Sequence, residues 1–452
     1  MPAQPEEEVG TEIERAVTRS LDAWTSGQSP PVDLEALGAR AAGARLATAV
    51  VQVPALRALF AIEAGDHPAG LACARRASLM GRTEAIPAAE WLANLALARA
   101  RRYNRQVHLA VRILEALDPP ASPGWRTWLD WERLLAGALV PDGEAVAAGP
   151  AAALWSLLCA ARTGDRSGFA RHAGALAASA TIAPFRREAA VLVEALNPFD
   201  VPRLDLPIAT GGRRDLGSEQ LQAWRRGEAS LPPALLHGLL LPDSPEPGAC
   251  VVLWPDGRSA RFLSAGLPLL GGGVSRLPPS RRQNGRIETL LAILALAGPD
   301  GLDEATCFLR AYGFSYVPGV HRGVFDVLVH RARGAVEGLA TLGRGPGRLT
   351  LTAARPLLLF DPRASRSTTD RVLRLLAEQG RASAREAATR LGLSLRAAQG
   401  ALSELAGNHA CIVERDGRSI TYAVEDSVFS EPTGRLSRGR VSRRDELGAA
   451  GA

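Results

Sequence analysis

The sequence predicts a mainly α protein: an N-terminal α-helical repeat domain built of αα-hairpins, followed by two small α+β modules. Three observations carry that expectation. Apolar residues recur every three to four positions through most of residues 11–196, the spacing of helices with one buried face. From residue 249 onward, short alternating runs closed by Pro-Asp-Gly or Asp-Gly alternate with helical stretches, the pattern of hairpins set among helices. Positive charge gathers in that second half: residues 251–400 hold 21 Arg against 11 Asp+Glu, whereas residues 1–250 hold 25 against 28.

Residues 1–10 are acidic, with Glu6, Glu7 and Glu8 in a row, and are expected to be disordered. They lack the basic flank and apolar segment of a secretory signal, and no uncharged apolar run reaches the ~18 residues of a membrane span. A cytoplasmic protein is the expectation. Helical stretches follow at Ala55–Ala64, Gly70–Leu79, Ala88–Ala100, Gln106–Leu117, Trp125–Leu139, Ala151–Ala161 and Phe169–Ala178. Breaks such as Gly65-Asp66, Arg102-Tyr103 and Gly164-Asp165 separate them into hairpins. These hairpins, at roughly 35 to 40 residues apiece, resemble tetratricopeptide-type repeats, which implies a surface for a protein partner or for self-association. Trp125, Trp128 and Trp131 lie three apart and are expected to pack between hairpins rather than to line a ligand pocket. Residues 197–248, rich in Pro and Gly, read as a linker with one short helix around Ser218–Arg226.

Composition excludes several chemistries. The chain has no lysine, so all 53 basic residues are arginine. A phosphate-binding loop ending Gly-Lys-Ser/Thr, a Schiff-base lysine and a kinase strand lysine are therefore impossible. Neither G-x-S-x-G nor H-E-x-x-H occurs, and the glycine run Gly343-Arg344-Gly345-Pro346-Gly347 lacks the strand-then-helix context of a dinucleotide site. The five cysteines are scattered without a C-x-x-C pair, which predicts reduced thiols, no metal site and no disulfide framework. His321 and His330 have no second ligand pair at usable spacing and are expected to face DNA or water. The chain reads as a non-enzyme without cofactor or metal.

In residues 249–362, strands are expected at Cys250–Trp254 and Arg258–Leu263, around Pro255-Asp256-Gly257. Helices follow at Ile287–Ala297, Asp303–Ala311 and roughly His321–Gly338. A second hairpin, Leu339–Leu342 with Arg348–Thr352, surrounds the Gly343–Gly347 tip, and a further strand covers Pro356–Phe360. Phe325, Val329, Ala332 and Val336 fall on one helix face suited to a core. Strands, three helices and a hairpin follow the order of the OmpR/PhoB-type winged helix, and the segment resembles that family, most specifically at Phe325–Arg333. The resemblance implies a recognition helix with Val327, His330 and Arg331 towards the DNA groove, Arg322 and Arg333 near phosphate, and Arg344 and Arg348 at a wing. A phospho-receiver domain, usual in that family, is not expected in a helical, lysine-free N-terminal half.

Residues 363–433 form the second module. Asp370–Gln379 has a helical apolar period ended by Gly380. Ser383-Ala384-Arg385-Glu386 is a capping box that starts a helix running to Leu391. Gly392-Leu393-Ser394 makes a turn, and Ser394 caps Leu395–Leu405. At 100° per residue, Leu395, Ala398, Ala401, Leu402 and Leu405 fall on one side of that last helix; Arg396, Gln399, Gly400 and Ser403 fall on the other. Arg suits guanine and Gln suits adenine through paired hydrogen bonds, and Ser suits base or phosphate. Cys411–Arg415 and Arg418–Val424 alternate about Asp416-Gly417, a tight hairpin with Arg415 and Arg418 beside its tip. The segment resembles the winged helices of bacterial repressors. Residues 434–452 hold five further arginines among Ser and Gly and are expected to be disordered. The sequence thus predicts a transcriptional regulator that binds double-stranded DNA through two winged helices. A scaffold whose winged helices bind protein instead is the alternative.

Overall fold

The computed structural model describes residues 5–84, 86–118, 122–137, 149–199, 216–226, 248–277, 285–365, 367–416 and 419–424. The expected linker outside 216–226, the Gly417-Arg418 hairpin tip and the arginine-bearing tail 434–452 lie outside the described residues.

The helical period of the first half is realised as α1 (Pro5–Thr25), α2 (Leu34–Gly43), α3 (Ala47–Glu63), α4 (His67–Glu84), α5 (Pro87–Tyr103), α6 (Val107–Ala116), α7 (Pro123–Ala136), α8 (Gly149–Thr163), α9 (Arg166–Ser179) and α10 (Ala183–Leu196). The short helix expected near 218–226 is α11 (Leu216–Arg225). One expectation is corrected at the start: the acidic run Glu6–Glu8 belongs to the opening turns of α1 rather than to a disordered terminus. Successive helices pack in sequence, α3 on α4, α4 on α5, α5 on α6 and α8 on α9. The tryptophans sit where packing was expected. Trp128 stacks on Trp24 at 4.6 Å, and Trp131 on Phe185 at 4.8 Å.

A buried ionic network ties this domain together. Arg99 and Arg102 of α5 occupy its apolar face, one and two turns beyond Leu95. Arg99 pairs with Glu132 of α7 at 2.9 Å, with Glu188 of α10 at 3.2 Å and with Glu63 of α3 at 3.2 Å. Arg102 reaches Glu132 at 2.9 Å and Glu188 at 2.8 Å. Glu188 also accepts from Tyr103 Oη and Trp131 Nε1, both at 2.8 Å, and Arg187 pairs with Glu63. Three carboxylates thus meet three guanidinium groups, so the buried charge is balanced. Burial alone would raise the pKa of Glu188, but Arg102 and Arg99, then the Trp131 hydrogen bond, pull it down to about 2.

The strands are confined to the C-terminal part, where two units share one order of elements. In the first, β1 (Ala249–Leu253) and β2 (Ser259–Leu263) form the expected hairpin, followed by a 3-10 turn, Ser264–Leu270. With β3 (Ser275–Arg276) and β7 (Leu357–Phe360) they make a four-stranded sheet, order β2-β1-β7-β3. Then come α12 (Arg286–Ala297), β4 (Leu302–Asp303), α13 (Glu304–Tyr312), α14 (Pro318–Ala335) and the hairpin β5 (Ala340–Gly345) with β6 (Arg348–Ala353). The second unit runs α15 (Thr368–Gln379), β8 (Arg381–Ser383), α16 (Ala384–Leu391), α17 (Leu395–Gly407) and the hairpin β9 (Ile412–Asp416) with β10 (Ser419–Ala423). Their small sheets match: β4-β6-β5 in one and β8-β10-β9 in the other. In both, a short strand between the first two helices pairs antiparallel with the second hairpin strand. Gly301 makes the first of these joints possible. Its φ is +62°, and an added Cβ would run into the carbonyl oxygen of Leu349.

Alternation along β1 splits two cores. Val251 and Leu253 face the helices α12–α14, while Cys250 and Val252 join Phe262 and Leu358 on the opposite face. Both units rest on the helical domain. Ala249, Leu263 and Leu269 enter its core, and Arg261 donates to the Trp224 carbonyl at 2.8 Å while pairing with Asp361 at 2.6 Å. For the second unit, Leu109 of α6 is buried among Leu373, Leu376 and Leu405. Gln106 Nε2 donates to the Asn408 carbonyl at 2.9 Å and Arg101 Nη1 to that of His409 at 3.3 Å, just past the end of α17. No helix among the described residues is long and apolar enough to cross a membrane.

Candidate nucleic-acid interface

Three of the expected site residues, Arg396, Gln399 and Ser403, lie on α17. Ser394 caps the helix, accepting from the Ala397 amide at 3.2 Å. The preceding α16 carries the capping box: Ser383 accepts from the Glu386 amide, and Glu386 Oε2 accepts from that of Ser383 at 2.7 Å. Gly392, at φ +63°, ends α16 in the left-handed conformation that lets the chain turn into α17. Ala398, Ala401, Leu402 and Leu405 are buried, and Arg396, Gln399, Gly400 and Ser403 are exposed. Leu395, expected on the buried side, is instead 47% exposed, because the first turn of α17 extends past the core. Gly400 has no neighbour within 4 Å of its would-be Cβ, which leaves the middle of the face low.

Arg396 and, on β9, Arg415 are exposed and make no hydrogen bond or ion pair among the described residues. Arg418 lies outside the described residues. Two arginines that sequence reasoning passed over, Arg385 and Arg390 of α16, are also exposed and donate no hydrogen bond among the described residues. The signal for them was present, since both lie off the Ala387/Ala388 core face of the capped helix.

The first unit divides differently. Phe325, Val329, Ala332 and Val336 are buried as expected, and Val327, His330 and Arg331 are exposed, as is Arg322. Arg322 and Arg331 have no hydrogen bond or ion pair among the described residues. Three of the expected contacts are committed to the fold itself. Arg333 Nε donates to the Leu342 carbonyl at 3.3 Å, tying α14 to β5. Arg344 is ion-paired to Glu304 at 2.6 Å and Asp326 at 2.8 Å, so the hairpin is strapped to α13 and α14. Hydrogen bonds to Glu304 and then Asp326 hold its guanidinium more firmly in the charged form. Arg348 caps the Pro299–Gly301 turn, donating to the carbonyls of Asp300 at 3.2 Å and Gly301 at 3.0 Å. An arginine held by two carboxylates has little charge left for phosphate. We therefore expect Arg344→Ala to lower stability by about 1 kcal/mol, as partly exposed pairs do, and to leave the salt slope of any DNA binding unchanged; parallel melting and titration check both.

His321 is also corrected. It is half-buried, stacks on Phe308 at 4.8 Å and accepts from the Val317 amide at 2.9 Å through Nδ1. An aromatic cluster of Phe308, Tyr312, Phe314 and Tyr316 gives the ring a better environment than the groove. All five cysteines are free, and burial pushes the thiols of Cys307 and Cys411 up to about 12 and about 11, away from reactive thiolate.

Comparison with family models, with curated proteins and with solved structures finds no match to this chain.

Proposed function

We propose that the protein is a sequence-specific transcriptional regulator that binds double-stranded DNA through two winged helices, with α17 as the chief base-reading helix. The observation that carries this reading is the outer face of α17. Arg396, Gln399 and Ser403 stand exposed about the low Gly400, opposite the buried Ala398, Leu402 and Leu405. Donor and acceptor groups of that kind, on a helix entered through a tight turn, suit base edges in the major groove. Arg385 and Arg390 on α16 and Arg415 on β9 flank it with charge for phosphate. The matching order of elements in the two units supports reading α14 as the corresponding helix of the first. On this reading the α-helical repeats are the platform that carries both modules, with outer surface left for a partner or a second copy. The protein works in the cytoplasm as a binding protein, not an enzyme, and needs no cofactor.

The alternative, a scaffold whose modules bind protein, is favoured by one feature, the run of exposed apolar residues Phe314, Val317, Val320 and Val324. Binding measurements separate the two. After selection of a preferred duplex from a random pool, Arg396→Ala and Gln399→Ala should each cost about 1–3 kcal/mol on that duplex and flatten preference at one base pair. Their melting temperatures should match wild type, since neither side chain is buried. Unchanged affinity with unchanged melting would remove α17 from the reading role.

A further inference from the structure

The outer side of α14 is apolar where that of α17 is polar. Val320, Val324 and Val327 are 71%, 53% and 50% exposed. Spaced four and three apart, they share one stripe of the helix, and Arg331 continues it one turn on. Beside the stripe, Gly323 and Gly334 have nothing within 4 Å of a would-be Cβ, so an approaching surface meets backbone there. Val320 and Val324 stand clear of the core, while His321 between them turns its ring onto Phe308 on the inner side of the helix.

The uncommitted charge of α14 has one sign and lies on two flanks of the helix. Arg331 continues the stripe, whereas Arg322, two residues from both Val320 and Val324, lies on the opposite flank. Neither makes a hydrogen bond or ion pair among the described residues, and the sole carboxylate of α14, Asp326, is taken up by Arg344 at 2.8 Å. The surface therefore complements small apolar groups set in an anionic frame. The major groove of duplex DNA offers that combination, with the 5-methyl of thymine on its floor and phosphates along both walls. A protein partner would have to supply carboxylates at matching positions; DNA supplies phosphates everywhere.

Resting on the DNA-binding reading above, we infer that α14 is a thymine reader. Val320, Val324 and Val327 cover thymine 5-methyl groups, Arg331 holds phosphate or guanine beside them, and Arg322, on the opposite flank of the helix, holds phosphate on the other wall of the groove. The two modules then divide the labour, α17 reading hydrogen-bonding edges and α14 reading methyl groups.

The test uses the full-length protein and two short duplexes, alternating dA·dT and alternating dA·dU, which differ only in the thymine methyl. Anisotropy titrations should show the uracil duplex bound more weakly, by about fourfold for each methyl covered. In Val320→Ser/Val324→Ser/Val327→Ser, which removes the valine methyl groups at exposed positions, that difference should vanish while the salt slope stays. Equal affinity of wild type for the two duplexes, with steep salt dependence, would overturn the thymine assignment and leave the DNA-binding reading standing. A preference for thymine that survives in the triple variant would overturn it too, by placing the methyl contacts elsewhere. Binding of neither duplex would remove both readings. A triple variant that changes only the sedimentation of the protein would make the stripe a contact between copies.

Discussion

Raising salt from about 50 to about 200 mM should weaken binding to random duplex DNA by about three orders of magnitude. The estimate follows from the guanidinium groups the fold leaves uncommitted. Arg322, Arg331, Arg385, Arg390, Arg396 and Arg415 are exposed and donate no hydrogen bond among the described residues. Six phosphate contacts release counterions with a slope of roughly −5 in log–log terms. Arg344, paired with Glu304 and Asp326, should contribute nothing to it. On random duplex, where Arg396 meets phosphate rather than a matched base edge, removing any one of the six should lower the slope by about one. A flat salt response would contradict DNA binding altogether.

The second large effect is on stability. Glu188→Gln should destabilise the chain by about 3–5 kcal/mol, because it leaves Arg99 and Arg102 buried with too little opposing charge. The pH dependence follows from the depressed pKa. Glu188 titrates at about 2 in the fold against an ordinary 4.5, so its carboxylate stabilises the native state fully above pH ~5. That contribution is lost as pH falls from about 4.5 towards about 2, and the deficit of Glu188→Gln should shrink over the same interval. Denaturant unfolding of both proteins across that range measures it. A variant as stable as wild type at neutral pH would show that the network adds nothing net.

Much of this architecture was legible because it is local. Periodicity placed the helices α4–α9 to within about five residues but caught only the second half of α3, and the capping box at Ser383 and Glu386 forms as its spacing implied. The polar face of α17 followed from projection alone. What escaped was short or distant. The strands β3 and β4 span two residues each and β8 three, too few to show alternation, and they exist because partner strands draw them in. The Arg99 network joins residues up to 125 positions apart, from Glu63 to Glu188, so no window contains it. Its one local trace was charge at Arg99 and Arg102 on the face that Leu92, Leu95 and Ala96 bury.

The site residues divide by the same logic. Gln399 and Ser403 are exposed as projected, but projection cannot say whether an exposed arginine is free. Arg344 and Arg348 sit beside a hairpin tip, as a wing would require, yet acceptors 40 to 48 residues upstream, Glu304 and the carbonyls of Asp300 and Gly301, claim them. The valine stripe was hidden by a boundary. A helix begun at His321 omits Val320, while α14 starts at Pro318.

Hydroxyl-radical footprinting of the full-length protein, with and without duplex DNA at low salt, tests the central claim most directly. Protection concentrated on Leu395–Gly407 and Pro318–Ala335, with α1–α10 unchanged, is the expected result. DNA-dependent protection confined to the helical domain, or none on α17, would contradict duplex recognition by these helices.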